Sequence, residues 1–337
     1  MKHYFHLVLF FIGFLFVVLQ LHAQDYAKAK NGDGIYSFLL RNHRPPGRYY
    51  KAFVKLNKKK LGKDNILKLN VSYELPLLTT VSSKRRETKN AIGSYVSEPI
   101  FGVKSSKVKV ISNKLADACF YVVSGHAGPD PGAIGNIAGH EVHEDEYAYD
   151  IVLRMARALI QEGAKVNIII QDDKDGIRNN AYLSNDKTET CMGKTIPLDQ
   201  VRRLQQRCSA INELYRKDRK QYKYCRAIFV HVDSRSRGKR QDVFFYYSAT
   251  STLGNKLAEN MKNTFESKYD RHQPNRGFTG SVSNRNLYVL SHTVPVSVFV
   301  ELGNIQNTFD QRRLIINSNR EALGRWLKDG FIKDIGH

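Results

Sequence analysis

From residue 116 onward the chain keeps one rhythm: a short solid apolar run, a polar break, then a longer stretch with apolar positions every three or four residues. The runs CFYVVS (119–124), KVNIII (165–170), AIFVHV (227–232), DVFFYYS (242–248) and VSVFVEL (296–302) are β-branched and aromatic. Their length and composition predict buried strands rather than helices. Between them, EDEYAYDIVLRMARALIQEG predicts a helix. Ala148, Ile151, Val152, Met155 and Leu159 share one face, acids crowd the first turn, and Gly163 follows the last. LDQVRRLQQRCSAINELYRK, TLGNKLAENMKNTF and NREALGRWLKDGF predict three more helices. Such alternation predicts an α/β fold, a mixed but mostly parallel sheet with helices on both faces, and no internal repeat.

Ahead of this block, residues 24–76 read as a small α+β module. DGIYSFLLRN and YYKAFVKLN have helical spacing, and ILKLNVSYELP closes on a proline. Residues 77–115 are rich in Ser, Thr, Lys and Arg and read as a connector with short strands and a loop at SSKRRETKN. Residues 1–23 have a short polar start, an apolar stretch and a small residue, Ala23, at the end. That is the pattern of a cleaved export signal rather than of a membrane span. The expected mature chain is exported, periplasmic or wall-associated, and not membrane-spanning.

Charge narrows the partners. Lys and Arg number 53 against 32 Asp and Glu, a formal net charge of +21. Loss of the signal removes Lys2 alone. A field of this sign favours polyanions. In an exported chain with no RNP-like aromatic stretch and no zinc-finger spacing, nucleic acid is not the expected partner, which leaves an anionic lipid or an anionic wall polymer. The four cysteines form no C-x-x-C pair, so no cysteine metal site is expected. Cys119 and Cys225 open apolar runs and read as buried; Cys191 and Cys208 flank a polar segment and are the better candidates for a bridge.

Three of the strands end in a group capable of chemistry: His126 after CFYVVSG, His231 within AIFVHV and Glu301 within VSVFVEL. In open α/β sheets, sites gather at the carboxyl ends of strands. Two imidazoles with one carboxylate suit catalytic zinc, which leaves a position open for water. The acidic stretch HEVHEDE is the source of the third ligand. Its His140 and His143 stand three apart rather than four, which argues against an H-E-x-x-H pair. Helical spacing admits Glu141 or Glu144 and does not choose between them. Around His126, Gly125 and Gly128 would let the backbone turn beside a metal, while Pro129, Asp130, Pro131 and Gly132 read as turn residues.

The blocks SGHAGPDPGAIG, EDEYAYDIVLRMARAL, FVHVDS and VSVFVELGNIQN, in this order and spacing, resemble the zinc-dependent N-acetylmuramoyl-L-alanine amidases of bacterial cell walls. The resemblance implies a catalytic domain over 116–337, one Zn2+ held by His126, Glu144 and His231, and Glu301 as catalytic carboxylate. The implied substrate is peptidoglycan, cut between N-acetylmuramic acid and L-alanine. A non-catalytic wall-binding protein and a zinc peptidase acting on stem peptides are the alternatives on the same scaffold. Residues 24–76, with D-x-I-Y-S, F-V-K-L-N and a terminal Y-E-L-P, resemble a LysM peptidoglycan-binding module. Three departures stand out. Residues 172–197 are longer than the family's usual connection. Ser291-His292 replaces a basic residue. FFYYSATSTLGNKLAEN passes from strand to helix without the inhibitory helix of some relatives. Arg276-Gly277 matches a family RG and reads as a solvated cation.

Overall fold

The computed structural model describes residues 25–44, 46–77, 91–234 and 238–336. The expected export signal (1–23) and the SSKRRETKN loop lie outside the described residues. The chain folds as two compact units that divide between residues 79 and 80.

In the first unit, strand Tyr26–Lys28 pairs antiparallel with Ser72–Glu74, and helices Ile35–Arg41 and Pro46–Asn57 lie between them in sequence. The apolar positions read as helical do face inward. Phe38, Phe53 and Tyr73 are fully buried and meet ring to ring at 5.4–5.9 Å. The buried Asn57 amide ties the second helix to the second strand: it donates to the Glu74 carbonyl (2.8 Å) and accepts from the Glu74 amide (2.9 Å).

The second unit is built on a six-stranded sheet. In chain order its strands are β1 (Ala118–Ser124), β2 (Lys165–Ile168), β3 (Tyr224–Asp233), β4 (Val243–Tyr247), β5 (Gly280–Asn284) and β6 (Val296–Asn304). They lie side by side as β5-β4-β6-β3-β1-β2, parallel throughout except where β4 meets β6. The five apolar runs all became strands. The sixth strand, β5, is GSVSN, whose polar sequence carries no run to signal it.

Alternation along the strands sends side chains to two cores. On one face Phe120, Val122, Ile228, Val230, Val298 and Val300 pack under helices α1 (Glu144–Gln161), α3 (Thr252–His272) and α6 (Asn317–Ile335). On the other, Tyr121, Val123, Phe229 and Phe299 pack under α2 (Gln200–Asp218) and α4 (Tyr288–His292). One further helix, α5 (Thr308–Ile315), follows β6. The described residues of the connector contribute to the first core: a hairpin of Tyr95–Ser97 with Lys107–Lys109 buries Val108, and Phe101 joins it.

Helix α1 departs from its one-faced pattern, since every residue from Glu144 to Ala156 is buried. The extra cover is the segment 172–197. Tyr147 donates to the Ala181 carbonyl (2.8 Å), and Tyr149 accepts from the Asp172 amide (2.8 Å). The fully buried Arg320 of α6 binds Asp150 (2.6 Å) and the carbonyls of Arg178 (2.8 Å) and Asn180 (2.9 Å). All four cysteines are buried free thiols, so the bridge between Cys191 and Cys208 is not formed. Both sulfurs are instead absorbed into the second core, where Cys208 accepts from the Thr293 hydroxyl (3.6 Å). Among the described residues no helix is long and apolar enough to cross a membrane.

Candidate metal centre

The central strands β1, β3 and β6 end together, and the polar groups carried there converge. Just past β1 the backbone reverses: the Gly125 amide bonds the Val230 carbonyl of β3 (2.7 Å), and His126 and Ala127 take φ of +56° and +89°. Such conformations cost non-glycine residues about 1–3 kcal/mol each and persist only where the surroundings fix them. Here Ala127 and Asp130 bond main chain to main chain. Asp130 also takes His126 Nδ1 (3.0 Å) and the Gly132 amide (3.2 Å), and is itself held by Arg203 from α2 (2.8 Å).

Glu144 opens α1, and its carboxylate lies between the two histidines. Oε2 is 3.1 Å from His126 Nε2 and Oε1 is 2.9 Å from His231 Nδ1. The same oxygens accept the amides of Ala133 and Val232, both at 3.0 Å. Donor atoms of His126, Glu144 and His231 all lie within 4.8 Å of one another. Two nitrogens and one oxygen match the three-ligand set of catalytic zinc. The Asp130 bond fixes the His126 ring and leaves Nε2 to the centre, the usual outer support of a ligating histidine. Gly132 leaves room for this cluster: a Cβ there would come within 2.7 Å of His126 and 2.8 Å of Glu144. The three side chains therefore fit a zinc ion.

Electrostatics agree with a place for positive charge. Burial works against an imidazolium at His126, but Asp130 and Glu144 on either side outweigh it and push its pKa up to about 10. Burial likewise penalises the Glu144 carboxylate, yet its bonds to the two histidines hold it well below the usual range. Burial, aided by the neighbouring His126, outweighs the bond to Glu144 and lowers the His231 pKa from its ordinary value.

Glu301 stands on β6 in register with His231 on β3. Its Oε2 is buried and has no hydrogen-bond partner among the described residues. Burial, then the charges of Glu144 and Asp233, raise its pKa well above the ordinary carboxylate value. An unpartnered buried carboxyl oxygen is costly unless something else meets it.

The family model described as N-acetylmuramoyl-L-alanine amidase matches residues 121–333. The chain belongs to the N-acetylmuramoyl-L-alanine amidase family. The enzyme is an amide hydrolase of peptidoglycan. Among solved structures it is similar to amidase AmiC2 of Nostoc punctiforme (TM-score 0.47, 20% identity, 67% of this chain and 99% of that one). It is also similar to amidase Ami1 of Mycobacterium smegmatis (0.48, 16%, 67% and 99%). A third is an N-acetylmuramoyl-L-alanine amidase from Clostridium difficile 630 (0.47, 17%, 66% and 98%). No curated protein sequence matches the chain.

The structure brings His126, Glu144, His231 and Glu301 of this amidase to one end of the sheet, and leaves the other acids of HEVHEDE elsewhere. Glu141 is exposed in a hairpin (Ile134–Ile137 with His140–His143), so helical spacing never applied to it. His140 stacks on Tyr182 at 3.9 Å, away from the centre. Asp145 and Glu146 turn toward segment 172–197, where Glu146 pairs with Arg178 (2.7 Å). Asp130 was legible as a turn residue, but not as the partner of His126. Arg203 and Arg207 gave no signal within a basic helix. Arg276, expected in solvent, pairs instead with buried Asp242 and covers the Tyr269 ring at 4.4 Å.

Proposed function

We propose that this enzyme is an exported zinc amidase that cuts the amide between N-acetylmuramic acid and L-alanine, with His126, Glu144 and His231 as metal ligands and Glu301 as general base and acid. The observation that carries the reading is the buried, unpartnered Oε2 of Glu301, in register with His231 and beside a three-donor cluster. A bound zinc ion supplies positive charge that acidifies water and polarises the scissile carbonyl. Glu301 takes the proton of the attacking water on Oε2 and returns it to the leaving amine of L-alanine. Glu144, bonded to two main-chain amides, stays ionised and keeps both imidazoles in place. Asp130 holds the His126 ring so that Nε2 faces the centre.

Residues 24–76 are proposed to hold the polymer and 116–337 to cut it. The two-helix, two-strand build of the first unit supports that division. Because β4 runs into α3 with four residues between them, activity is expected without an external activator.

The test is digestion of purified peptidoglycan with product analysis by mass spectrometry. Wild type should release stem peptides that begin with L-alanine, and a chelator should stop it. Glu301→Ala should keep its zinc and lose about 10²–10⁴-fold in turnover. Loss of zinc from that variant, release of carboxyl-terminal residues, or silence until a partner is added would each break the corresponding part of the reading.

A further inference from the structure

A cavity of about 180 Å3 opens beside His126 and His231, between the sheet and helices α2 and α4. Phe229, Phe299 and Leu287 give it apolar walls. One charged group in its lining, Arg207, is left without an adequate partner. Arg207 of α2 is 4% exposed, yet its one protein acceptor among the described residues is the His126 carbonyl, and its Nε has none. The carboxylate in the lining, Asp130, is already shared by Arg203 and His126.

A buried guanidinium with no carboxylate against it is expensive, and the cost falls when an anion arrives. Burial accordingly lowers the Arg207 pKa from its usual value. Arginine presents a planar fork suited to a carboxylate. The cavity also adjoins the proposed metal centre, so its occupant is continuous with whatever is being cut there. In the stem peptide the residue after L-alanine offers such a group, an α-carboxyl.

We propose that this cavity is a substrate subsite in which Arg207 binds the carboxylate of the stem residue following L-alanine, so that the enzyme prefers stems in which that group is charged. The inference rests on the amidase reading above. It makes Arg207 a specificity residue, reading the substrate rather than moving protons.

The test uses the full chain and two batches of one peptidoglycan, with the α-carboxyl of the second stem residue either free or amidated. Wild type should turn over the free-acid batch faster in kcat/KM by about 10- to 100-fold, the worth of a hydrogen-bonded charge pair in a dry site. In Arg207→Ala the ratio should fall to near one, and Arg207→Lys should keep part of it. The ratio within each protein is the readout, because general damage to the His126 turn slows both batches alike. Should Arg207→Ala fail to fold, Arg207→Gln and competition of wild type by free L-alanyl-isoglutamate against L-alanyl-isoglutamine carry the same comparison. Equal turnover of both batches by wild type overturns the proposal, as does an unchanged ratio in the Arg207 variants. Inorganic phosphate slowing both batches equally, with no preference between them, assigns the cavity to a free anion and overturns it too. Failure to cut either batch overturns the amidase reading itself.

Discussion

Gly132 shows how closely the donors of the centre are set. Its φ of +69° already favours glycine, and the space where a Cβ would stand is filled by His126 and Glu144. Gly132→Ala should therefore weaken metal binding by about 10- to 100-fold, the usual effect of disturbing a ligand's support. Gly139→Ala is the control, since that position has φ +83° but nothing within 4 Å. A chelator-competition titration decides it: equal losses in both variants would reduce the effect to backbone strain. Gly125 has a related but different duty from the one its place beside His126 suggested. A Cβ there would meet the His231 ring at 2.4 Å, so the glycine clears a neighbouring imidazole. At this scale the legible residues were those that end an apolar run: His126, His231 and Glu301. Glu144 was separable from Glu141 through the family resemblance alone, because periodicity assumed a helix where the chain is still a strand. Asp130, Arg203 and Arg207 were not legible, because their partners lie across the fold.

Among the elements, those with a strong apolar signature were readable and those held by polar anchors were not. Edge strand β5 begins just after such an anchor. Asp242, 1% exposed at the start of β4, accepts from the Thr279 amide (2.7 Å) ahead of β5 and pairs with Arg276 and with Arg313 of α5. Burial disfavours the Asp242 carboxylate, but the two guanidiniums outweigh it and hold its pKa below the ordinary value. A depressed carboxylate pKa gives stability that is complete above the unfolded value, near pH 4, and lost as the pH falls toward the folded one. Asp242→Asn should destabilise the fold by about 3–5 kcal/mol at neutral pH, as expected when one partner of a buried ion pair is removed. It should also flatten the acid limb of the stability profile. Urea unfolding of both proteins at pH 7 and pH 3 checks this: an equal deficit at both pH values would mean that the charge is irrelevant. Segment 172–197 belongs to the same class of anchored elements. Its length could be read, but its clasp by Arg320 could not, since that arginine lies far along the chain in α6.

For the whole molecule, the order of strands and helices was enough to place the fold class, and the basic charge bore on partners rather than on fold. The division into two units sharpens the functional expectation. A chain of residues 80–337 should cut soluble peptidoglycan fragments as fast as the full chain but bind intact sacculi less well, and both proteins should bind less at high salt. Pelleting and fragment turnover measured side by side test it, and equal pelleting would remove the binding role of the first unit. The placement of the centre has one more effect. Its four groups come from the turn after β1, the start of α1, the end of β3 and the last strand, β6, which must slot between β3 and β4. Neither the donor cluster nor its carboxyl exists in any chain whose central strands are still unpaired. The four groups therefore come together only once β6, the last strand in the chain, is in place between β3 and β4.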